Sequence, residues 1–449
     1  AAGNLFVEIS PEGKRTLYTY TSNGQLASQR TFNERLNANT LATLTANSII
    51  TLPAEDSKDQ IISFTYNDEG KLETRIDSFS GLGEKYLYNN DGMLVGKTQG
   101  NYSVIGDSVA IQESRATFTV RDALGREIDS LDAVEVSELL AGQGKNSISE
   151  LTKSDLSSNS PTAVFDSSGR LTSTIDKAGN ATYFYYDQFD QLRATVTSEG
   201  RLTTFDYNAF GERVAQRNFG KLNVIATATG GNYRDVESVI ELNKNNEKDI
   251  VSAQSYTQRG LVDRVWQNNV EVSDIDYNGF GERSLLKAIT ANGQTLDSQF
   301  VYSREGLLTT SYIGDDQSKT QEYDAFGRLI AWTDWTNTTT SRSTKEYDDR
   351  SGRVIVTNAL SGVETTSYDV FGRTLTITGP SNVETSYQYT GSKEKLIVTG
   401  SGTNVLAQKL VYNEYGELQE IVKGTLNANK SDIEQILEQT TFVFNKNGN

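Results

Sequence analysis

The sequence predicts an all-β fold in which tandem β-hairpins join into one long, curved and spiralling sheet, a shell or partial cage. Three observations predict it. A short motif recurs along the chain, and several neighbouring copies are 21 residues apart. Apolar residues before and after the motif alternate with a period of two, which is typical of strands. Only four prolines occur in 449 residues, which suits a chain made mostly of hydrogen-bonded strands.

The clearest copy of the motif lies at 323–329 and has the sequence YDAFGRL. Asp at the first turn position and Gly three residues later favour a type I turn, in which the short acidic side chain bonds nearby backbone N–H groups. Gly supplies a positive φ that most residues resist. The aromatic residue ends the incoming strand, and the apolar residue after the turn starts the outgoing one. Each copy therefore predicts a hairpin corner with a loop slightly longer than two residues.

Fifteen copies keep the aromatic residue, and a sixteenth at 121–126 has lost it. A fixed period in the range of about 20–50 residues indicates a repeat architecture. The aromatic positions are 20, 66, 88, 165, 186, 207, 256, 277, 302, 323, 347, 368, 389, 412 and 444. The residues that best define the repeat are Tyr66, Gly70, Phe165, Asp166, Gly169, Tyr186, Asp187, Tyr207, Gly211, Tyr277, Gly281, Tyr323, Asp324, Gly327, Arg328, Tyr347, Tyr368, Asp369, Gly372, Tyr412 and Gly416.

This pattern resembles the YD repeats, also called RHS repeats, of bacterial Rhs proteins, Tc toxin shell subunits and teneurins. The resemblance extends from about residue 18 to residue 449 and implies a hollow β-shell. In the Rhs and Tc shells, a segment with an Asp-Pro-x-Gly signature releases a C-terminal toxin by self-cleavage. No Asp-Pro occurs here, so the resemblance implies the repeat wall without the cleavage site or the cargo.

Composition narrows the classes of function. The chain has no Cys and no His, which removes thiolate chemistry, Ser-His-Asp triads and zinc-His sites. The net charge of −17 would repel nucleic acid and anionic lipid. No run of about 20 apolar residues is present, so no membrane-spanning segment is expected. We expect no enzyme activity, no cofactor and no metal site.

Four segments depart from the repeat spacing, at 31–62, 95–164, 220–250 and 425–440. The copies at 20 and 66 are separated by nearly two periods, and residues 36–52 between them are expected to form irregular strands. Apolar spacing predicts a short helix at 130–140, followed by a polar loop at 142–160. Ser431, followed by Glu434, is a capping-box signature, and with the apolar stripe that follows it predicts a helix at 432–439.

Each repeated residue type has two interpretations. The tyrosines could form a platform for a surface glycan, although a ladder in which each ring stacks on the next is the preferred interpretation. The aspartates could bind calcium, but one carboxylate per turn is a poor calcium site, so turn capping is preferred. Arginines that follow the motif glycine, at 170, 328, 353 and 373, could bind anions, but pairing with a nearby Asp or packing along neighbouring strands is preferred.

Residues 1–449 are therefore expected to form a single repeat array, a fragment of a longer chain or a segment completed by a second shell subunit. The expected function is a secreted or cell-surface shell, bacterial in origin, that encloses or carries another polypeptide such as a C-terminal toxin. The alternative is an adhesion or structural protein that assembles end to end. An enzyme would need a cluster of non-repeating polar residues in one of the irregular segments.

Overall fold

The structure is a computed structural model that describes residues 5–44, 52–105, 108–111, 115–151, 162–220, 228–245, 247–290, 292–314, 317–333, 341–400, 405–445 and 447–448. It divides into two compact units. The first comprises residues 1–125, 130–158 and 344–449, and the second comprises residues 126–129 and 159–343. In the part of the chain described, no helix is long and apolar enough to cross a membrane. The all-β prediction is confirmed, because antiparallel strands dominate both units and the helices are short.

The first unit begins with an antiparallel sheet whose neighbouring strands mostly follow one another in the chain. Strand β9 pairs with β7 rather than with β8, which forms a short hairpin with the end of β7. The strands are β1 (Val7–Ile9), β2 (Arg15–Tyr20), β3 (Leu26–Thr31), β4 (Gln60–Tyr66), β5 (Leu72–Asp77), β6 (Leu82–Tyr88), β7 (Leu94–Ile105), β8 (Ser108–Ile111) and β9 (Arg115–Arg121). Strand β10 (Glu127–Leu131) follows, and its residues 127–129 are assigned to the second unit.

The second unit contains the most regular repeats. Its strands pair antiparallel in chain order, except that β16 pairs directly with β18 and the two-residue β17 pairs parallel to β13. The strands are β11 (Ala163–Phe165), β12 (Leu171–Ile175), β13 (Ala181–Tyr186), β14 (Leu192–Thr197), β15 (Leu202–Tyr207), β16 (Arg213–Asn218), β17 (Gly231–Asn232), β18 (Ile250–Tyr256), β19 (Val262–Gln267), β20 (Val270–Tyr277), β21 (Arg283–Ile289), β22 (Thr295–Tyr302), β23 (Leu308–Ile313), β24 (Gln317–Tyr323) and β25 (Leu329–Thr333).

The remaining strands return the chain to the first unit, again as antiparallel neighbours in chain order. They are β26 (Arg342–Asp348), β27 (Arg353–Thr357), β28 (Val363–Tyr368), β29 (Thr374–Thr378), β30 (Glu384–Thr390), β31 (Lys393–Thr399), β32 (Leu406–Tyr412), β33 (Leu418–Leu426) and β34 (Ile433–Thr441). Most strand residues here and in the rest of the described sheets are only partly buried. Much of each sheet face is therefore not covered by a second layer.

Two helices from the irregular segments cover the sheet locally and form its two hydrophobic clusters. Helix α2 (Ala133–Gln143) belongs to the first unit, where Val136 packs with Val95 and Phe118 of the sheet. Helix α3 (Arg234–Asn243) belongs to the second unit, where Ile240 packs in a cluster with Tyr185. These apolar contacts cover strand faces that would otherwise be exposed to solvent.

The predicted helix at 432–439 is wrong, because this segment is strand β34. It pairs with β33 through two bulges, with Gly424 opposite Ile436 and Glu420 opposite Thr441. The Ser431 N–H donates to the side chain of Asn427, in a turn that reverses the chain before the strand. Pairing along the edge of β33 satisfies the backbone groups, and this tertiary pairing overrides the local helix signal.

The other irregular segments differ from expectation in detail. The interval between the corners at 20 and 66 holds one period rather than two, because β3 pairs directly with β4 and the residues between them form an insertion. Irregular strands at 36–52 are wrong where residues are described, since helix α1 (Ala38–Thr43) lies there; residues 45–51 lie outside the described residues.

The helix predicted at 130–140 exists, but it begins and ends three residues later, at 133 and 143, after a capping box formed by Asp132 and Glu135. The loop predicted to follow includes a 3₁₀ turn at Ile148–Glu150, and its part from 152 to 160 lies outside the described residues. The segment 220–250 interrupts the repeats as predicted and contains helix α3, which the sequence analysis did not predict.

Candidate interaction surface

Most motif corners are type I turns in which the side chain of the first turn residue accepts hydrogen bonds from backbone N–H groups, whereas the corner after Tyr389 is a two-residue turn at Gly391 and Ser392. At the copy in 323–329, the Gly327 N–H donates to the Asp324 carbonyl at 3.0 Å, and the Asp324 N–H donates to the Arg328 carbonyl at 3.0 Å. Asp324 Oδ1 accepts from the backbone N–H groups of Phe326 and Arg328, both at 2.9 Å. Asp166, Asp187 and Asp369 make the same pair of bonds.

The motif glycines make this turn sterically feasible. Those at 70, 169, 211, 281, 327, 372 and 416 have φ between 78° and 88°, a conformation that costs an L-residue energy. A one-residue bulge follows at most corners, as where Tyr323 pairs with Leu329 rather than with its neighbour. All the motif corners of a sheet lie on one edge, which we call the corner edge. The alternate connections between strands lie on the other edge, which we call the opposite edge.

The motif tyrosines join one repeat to the preceding one through their hydroxyl groups. Tyr323 donates to the carbonyl of Leu308 at 2.9 Å, 15 residues earlier, where the outgoing strand of the previous corner begins. The equivalent bonds of Tyr66, Tyr186, Tyr207 and Tyr277 are 2.8–3.0 Å long. Burial raises the pKa of Tyr186 and Tyr207 above the ordinary value, so these hydroxyls remain donors at neutral pH.

The expected ring-on-ring ladder is therefore wrong. The ring pair seen among the described residues is the edge-on contact of Phe79 with Phe371, and it does not join successive motif tyrosines. The remaining motif aromatics lie beside cations: Phe165 under Arg126, Tyr347 under Lys345 and Tyr412 under Lys393. Tyr368 ends β28 and donates its backbone N–H to the Gly352 carbonyl.

The motif arginines pair with the aspartate of their own corner, as predicted. Arg328 Nε lies 2.7 Å from Asp324 Oδ2, and the same pair is 2.8 Å between Arg170 and Asp166. Desolvation works against the charged form of Asp324, but hydrogen bonds from the Arg328 backbone and side chain hold its pKa below the ordinary value. The polar groups of the motif are thus used within the wall.

In the first unit, the opposite edge of the N-terminal sheet lies against the corner edge of the C-terminal strands. Arg35, from the connection between β3 and β4, makes the first contact. Its Nη1 donates to the Asp349 carbonyl at 2.6 Å and its Nη2 to the Asp369 carbonyl at 3.0 Å. One guanidinium therefore joins two successive corners.

Phe79, from the connection between β5 and β6, makes the second contact. Its ring packs edge-on against Phe371, with centroids 4.4 Å apart and an interplanar angle of 64°. Its carbonyl accepts from the Ser392 N–H at 3.1 Å. The guanidinium of Arg373 lies 5.1 Å from both ring centroids and 4.5 Å from that of Tyr389. Two rings packed edge to face and a planar guanidinium form a compact joint at this corner.

Arg115, the first residue of β9, makes the third contact. It binds Glu417 through two parallel bonds of 2.8 and 2.9 Å, and its guanidinium lies 3.6 Å from the centroid of Tyr415. Asn413 donates to the same carboxylate at 2.6 Å. The hydrogen bond from Arg115 lowers the pKa of Glu417 below its ordinary value of 4.5. Such bidentate, charge-assisted pairs are among the stronger hydrogen bonds in proteins.

The second unit presents the same position of the motif to solvent. Phe326 occupies the place in its corner that Phe371 occupies in the first unit, yet its side chain is 80% exposed. Three further corners of the second unit carry an exposed phenylalanine at that place. We call the four residues the phenylalanine row: Phe189 at 73%, Phe210 at 89%, Phe280 at 89% and Phe326 at 80% exposure.

Sequence analysis missed the three residues that cover corners, Arg35, Phe79 and Arg115. They lie outside the motif, in connections that do not repeat, so no periodic signal identifies them. The motif gives no signal of coverage either, because Phe371 is covered and Phe326 is exposed at the same place in their corners.

The described residues offer little for catalysis or metal binding. No group of three or more acidic side chains lies close enough together there to hold a metal ion. An open groove of about 1120 Å³ lies beside β23, β24 and the corner at Phe326, and it is lined by Glu305, Thr310 and Tyr323 among others. Its motif residues are those that hold the wall together.

Comparison with known protein families gives no match, and no curated protein matches the sequence. Several solved structures are similar. The TcdB2-TccC3-TEV complex matches 94% of this chain and 27% of its own, at 13% identity and a TM-score of 0.38. The Photorhabdus luminescens Tc holotoxin pore matches 92% and 28%, at 12% identity and a TM-score of 0.33. The TcdB2-TccC3 complex matches 93% of this chain and 30% of its own, at 10% identity and a TM-score of 0.23. The chain thus spans less than a third of each.

Proposed function

We propose that this chain is a non-catalytic wall, a single array of YD repeats, that encloses or carries another polypeptide such as a toxin. We place it outside the cell, secreted or on the surface of a bacterium. Its mechanism is containment: the wall separates a cargo from the surroundings, and no reaction occurs on it.

One observation carries the proposal, namely how the repeat uses its polar groups. The tyrosine hydroxyl binds a carbonyl of the preceding repeat, the aspartate binds turn N–H groups, and the arginine binds that aspartate. Bonds of this kind stiffen a thin sheet. The repeated polar groups therefore form hydrogen bonds within the sheet. This arrangement suits a barrier better than a reaction centre.

The covered corners support the same function. A sheet that encloses something needs its edges joined, because an open edge admits solvent and other chains. In the first unit, Arg35, Phe79 and Arg115 join the opposite edge of one set of strands to the corner edge of another. The strands of the first unit are therefore held together by these edge-to-edge contacts as well as by strand pairing.

The test is protection of a cargo. The native protein is purified from its source and treated with proteinase K before and after unfolding. We expect a second polypeptide that survives digestion while the wall is folded and is destroyed once it is unfolded. A preparation without a second polypeptide, or with one that is digested at the same rate in both states, would contradict containment.

The phenylalanine row favours a second candidate, an adhesion or structural protein that assembles through exposed corners. Large apolar residues exposed along one edge are candidates for an interaction site. The two candidates differ in their contents, because an adhesion protein would carry no protected polypeptide. The digestion experiment therefore discriminates between them.

A further inference from the structure

We propose that the phenylalanine row of the second unit is a docking edge for a second copy of this chain. The row receives the opposite edge of strands β27–β32 of that copy. This inference goes beyond the containment function and does not depend on a cargo.

The first step is the contrast between equivalent corners. Phe371 and Phe326 occupy the same place in the motif, three residues after the aromatic that ends the strand. Phe371 is covered by Phe79 at a centroid distance of 4.4 Å, whereas Phe326 is 80% exposed. A corner that carries a large apolar residue is therefore able to form a packed joint, and four such corners have no cover in this chain.

The second step is the nature of the covering surface. Where a corner aromatic is covered, the cover comes from the opposite edge of other strands of this same chain. Phe79 lies between β5 and β6, and Arg115 begins β9 after the connection from β7. The two edges of this repeat are thus complementary to each other, and copies of the chain carry both edges.

The third step identifies a free opposite edge with suitable chemistry. Apolar residues are exposed at three successive opposite-edge connections of β27–β32. Leu360 is 91% exposed at the turn between β27 and β28, Val383 is 45% exposed before β30, and Leu406 is 54% exposed at the start of β32. We call these residues the leucine–valine row. They match the phenylalanine row in apolar character but not in spacing, because Arg259 and Glu305 occupy the same place at two corners that lie between its members.

The fourth step concerns symmetry. Joining a corner edge to an opposite edge uses two different surfaces, so the contact is head-to-tail. After one contact forms, one copy keeps a free leucine–valine row and the other keeps a free phenylalanine row. Association should therefore continue into a series of oligomers unless the geometry closes a ring.

The test uses the full chain in sedimentation velocity between about 1 µM and 100 µM, where a contact of modest size becomes populated. We expect the average mass to rise above the monomer value of 49.5 kDa as concentration increases. The double variant Phe210→Asp/Phe280→Asp should remain monomeric, and so should Leu360→Asp. The control Leu242→Asp changes a residue on α3 that is 86% exposed and lies outside both rows, and it should associate like the unmodified chain.

A mixing experiment tests the pairing of the two rows. The corner variant keeps its leucine–valine row, and Leu360→Asp keeps its phenylalanine row, so an equimolar mixture should form dimers and stop there. Far-ultraviolet circular dichroism and melting confirm that each variant is folded, and the exposed positions make loss of folding an unexpected result. An unmodified chain that stays monomeric throughout, or variants that fail to associate when mixed, would overturn the proposal. Digestion of a cargo is measured separately, so failure of either idea leaves the other intact.

Discussion

Arg115 and Glu417 are 302 residues apart in the chain and form two parallel hydrogen bonds of 2.8 and 2.9 Å. Their side chains are only 16% and 21% exposed. The pair links β9 to the corner before β33, within one compact unit. Arg115 lies outside the motif, and Glu417 occupies the place after the motif glycine that Arg328 occupies in its own corner. Contacts of this kind hold the first unit together across the length of the sequence.

Removing one member of this pair should destabilise the first unit. We expect Arg115→Ala to lower its free energy of unfolding by about 1.5–3 kcal/mol, because a partly buried carboxylate loses a bidentate partner. A double-mutant cycle with Glu417→Gln, measured by denaturant unfolding, should give a coupling energy of about 0.5–3 kcal/mol. The matched control is Arg201→Ala. The side chain of Arg201 is 72% exposed and that of its partner Glu199 is 60% exposed, so this variant should lower the free energy of unfolding by less than about 1 kcal/mol. Equal losses in the two variants would contradict the special role of Arg115.

The same pair predicts a dependence on pH. The pKa of Glu417 in the folded chain lies below 4.5, its value when unperturbed. Its contribution to stability is therefore fully present above pH 4.5 and is lost as the pH falls through the lower folded value. We expect the difference in free energy of unfolding between the unmodified chain and Glu417→Gln to be large at pH 7 and to shrink towards pH 3. A difference that stays constant would show that Glu417 acts by packing alone.

Gly391 provides a test of close approach between two segments. A Cβ added there would lie 2.0 Å from the carbonyl oxygen of Phe79, and φ is +58°. Gly314 is the matched control, with φ of +59° and nothing within 4 Å of an added Cβ. We expect Gly314→Ala to cost about 1–2 kcal/mol from backbone strain and Gly391→Ala to cost at least about 1 kcal/mol more. Thermal unfolding of the two variants measures the difference, and equal costs would place Phe79 elsewhere.

Phe371 and Phe326 test whether a covered corner residue contributes more to stability than an exposed one. Phe371→Ala removes the ring that packs on Phe79, so the first unit should lose about 1–3 kcal/mol. Phe326→Ala removes an exposed ring from the same motif position and should change stability by less than about 0.5 kcal/mol in the monomer. Denaturant unfolding at low protein concentration separates this effect from association. A large loss in Phe326→Ala at that concentration would mean that its ring packs within the chain.

Tyr323→Phe tests the hydroxyl bond between successive repeats. The bond to the Leu308 carbonyl is 2.9 Å long and partly buried, so its loss should cost about 0.5–1.5 kcal/mol. Amide hydrogen exchange should increase at the two corners it joins, at 303–306 and 324–327. Tyr312→Phe is the control, because that ring is 39% exposed and lies outside the motif. Similar exchange in both variants would show that the hydroxyl bond does not stabilise these corners.

The corners could be predicted from the sequence because their causes lie within five residues. Asp324 bonds the N–H groups of Phe326 and Arg328, and Gly327 takes the positive φ, without help from distant strands. Alternation before and after each corner then identifies the strands. The same local reasoning failed at Ser431, where a capping signal and an apolar stripe lost to pairing between β33 and β34.

What the sequence alone determined is therefore the repeat: its strands, its turns, and the pairing of Arg328 with Asp324, all governed by short-range backbone and side-chain geometry. Tertiary structure alone decided which corners are covered. Phe371 and Phe326 have the same local sequence environment, and they differ because Phe79 lies 4.4 Å from one and the other is exposed. Contacts between residues about 300 positions apart depend on how many hairpins lie between them and on how the sheet curves. No local sequence pattern determines these two properties.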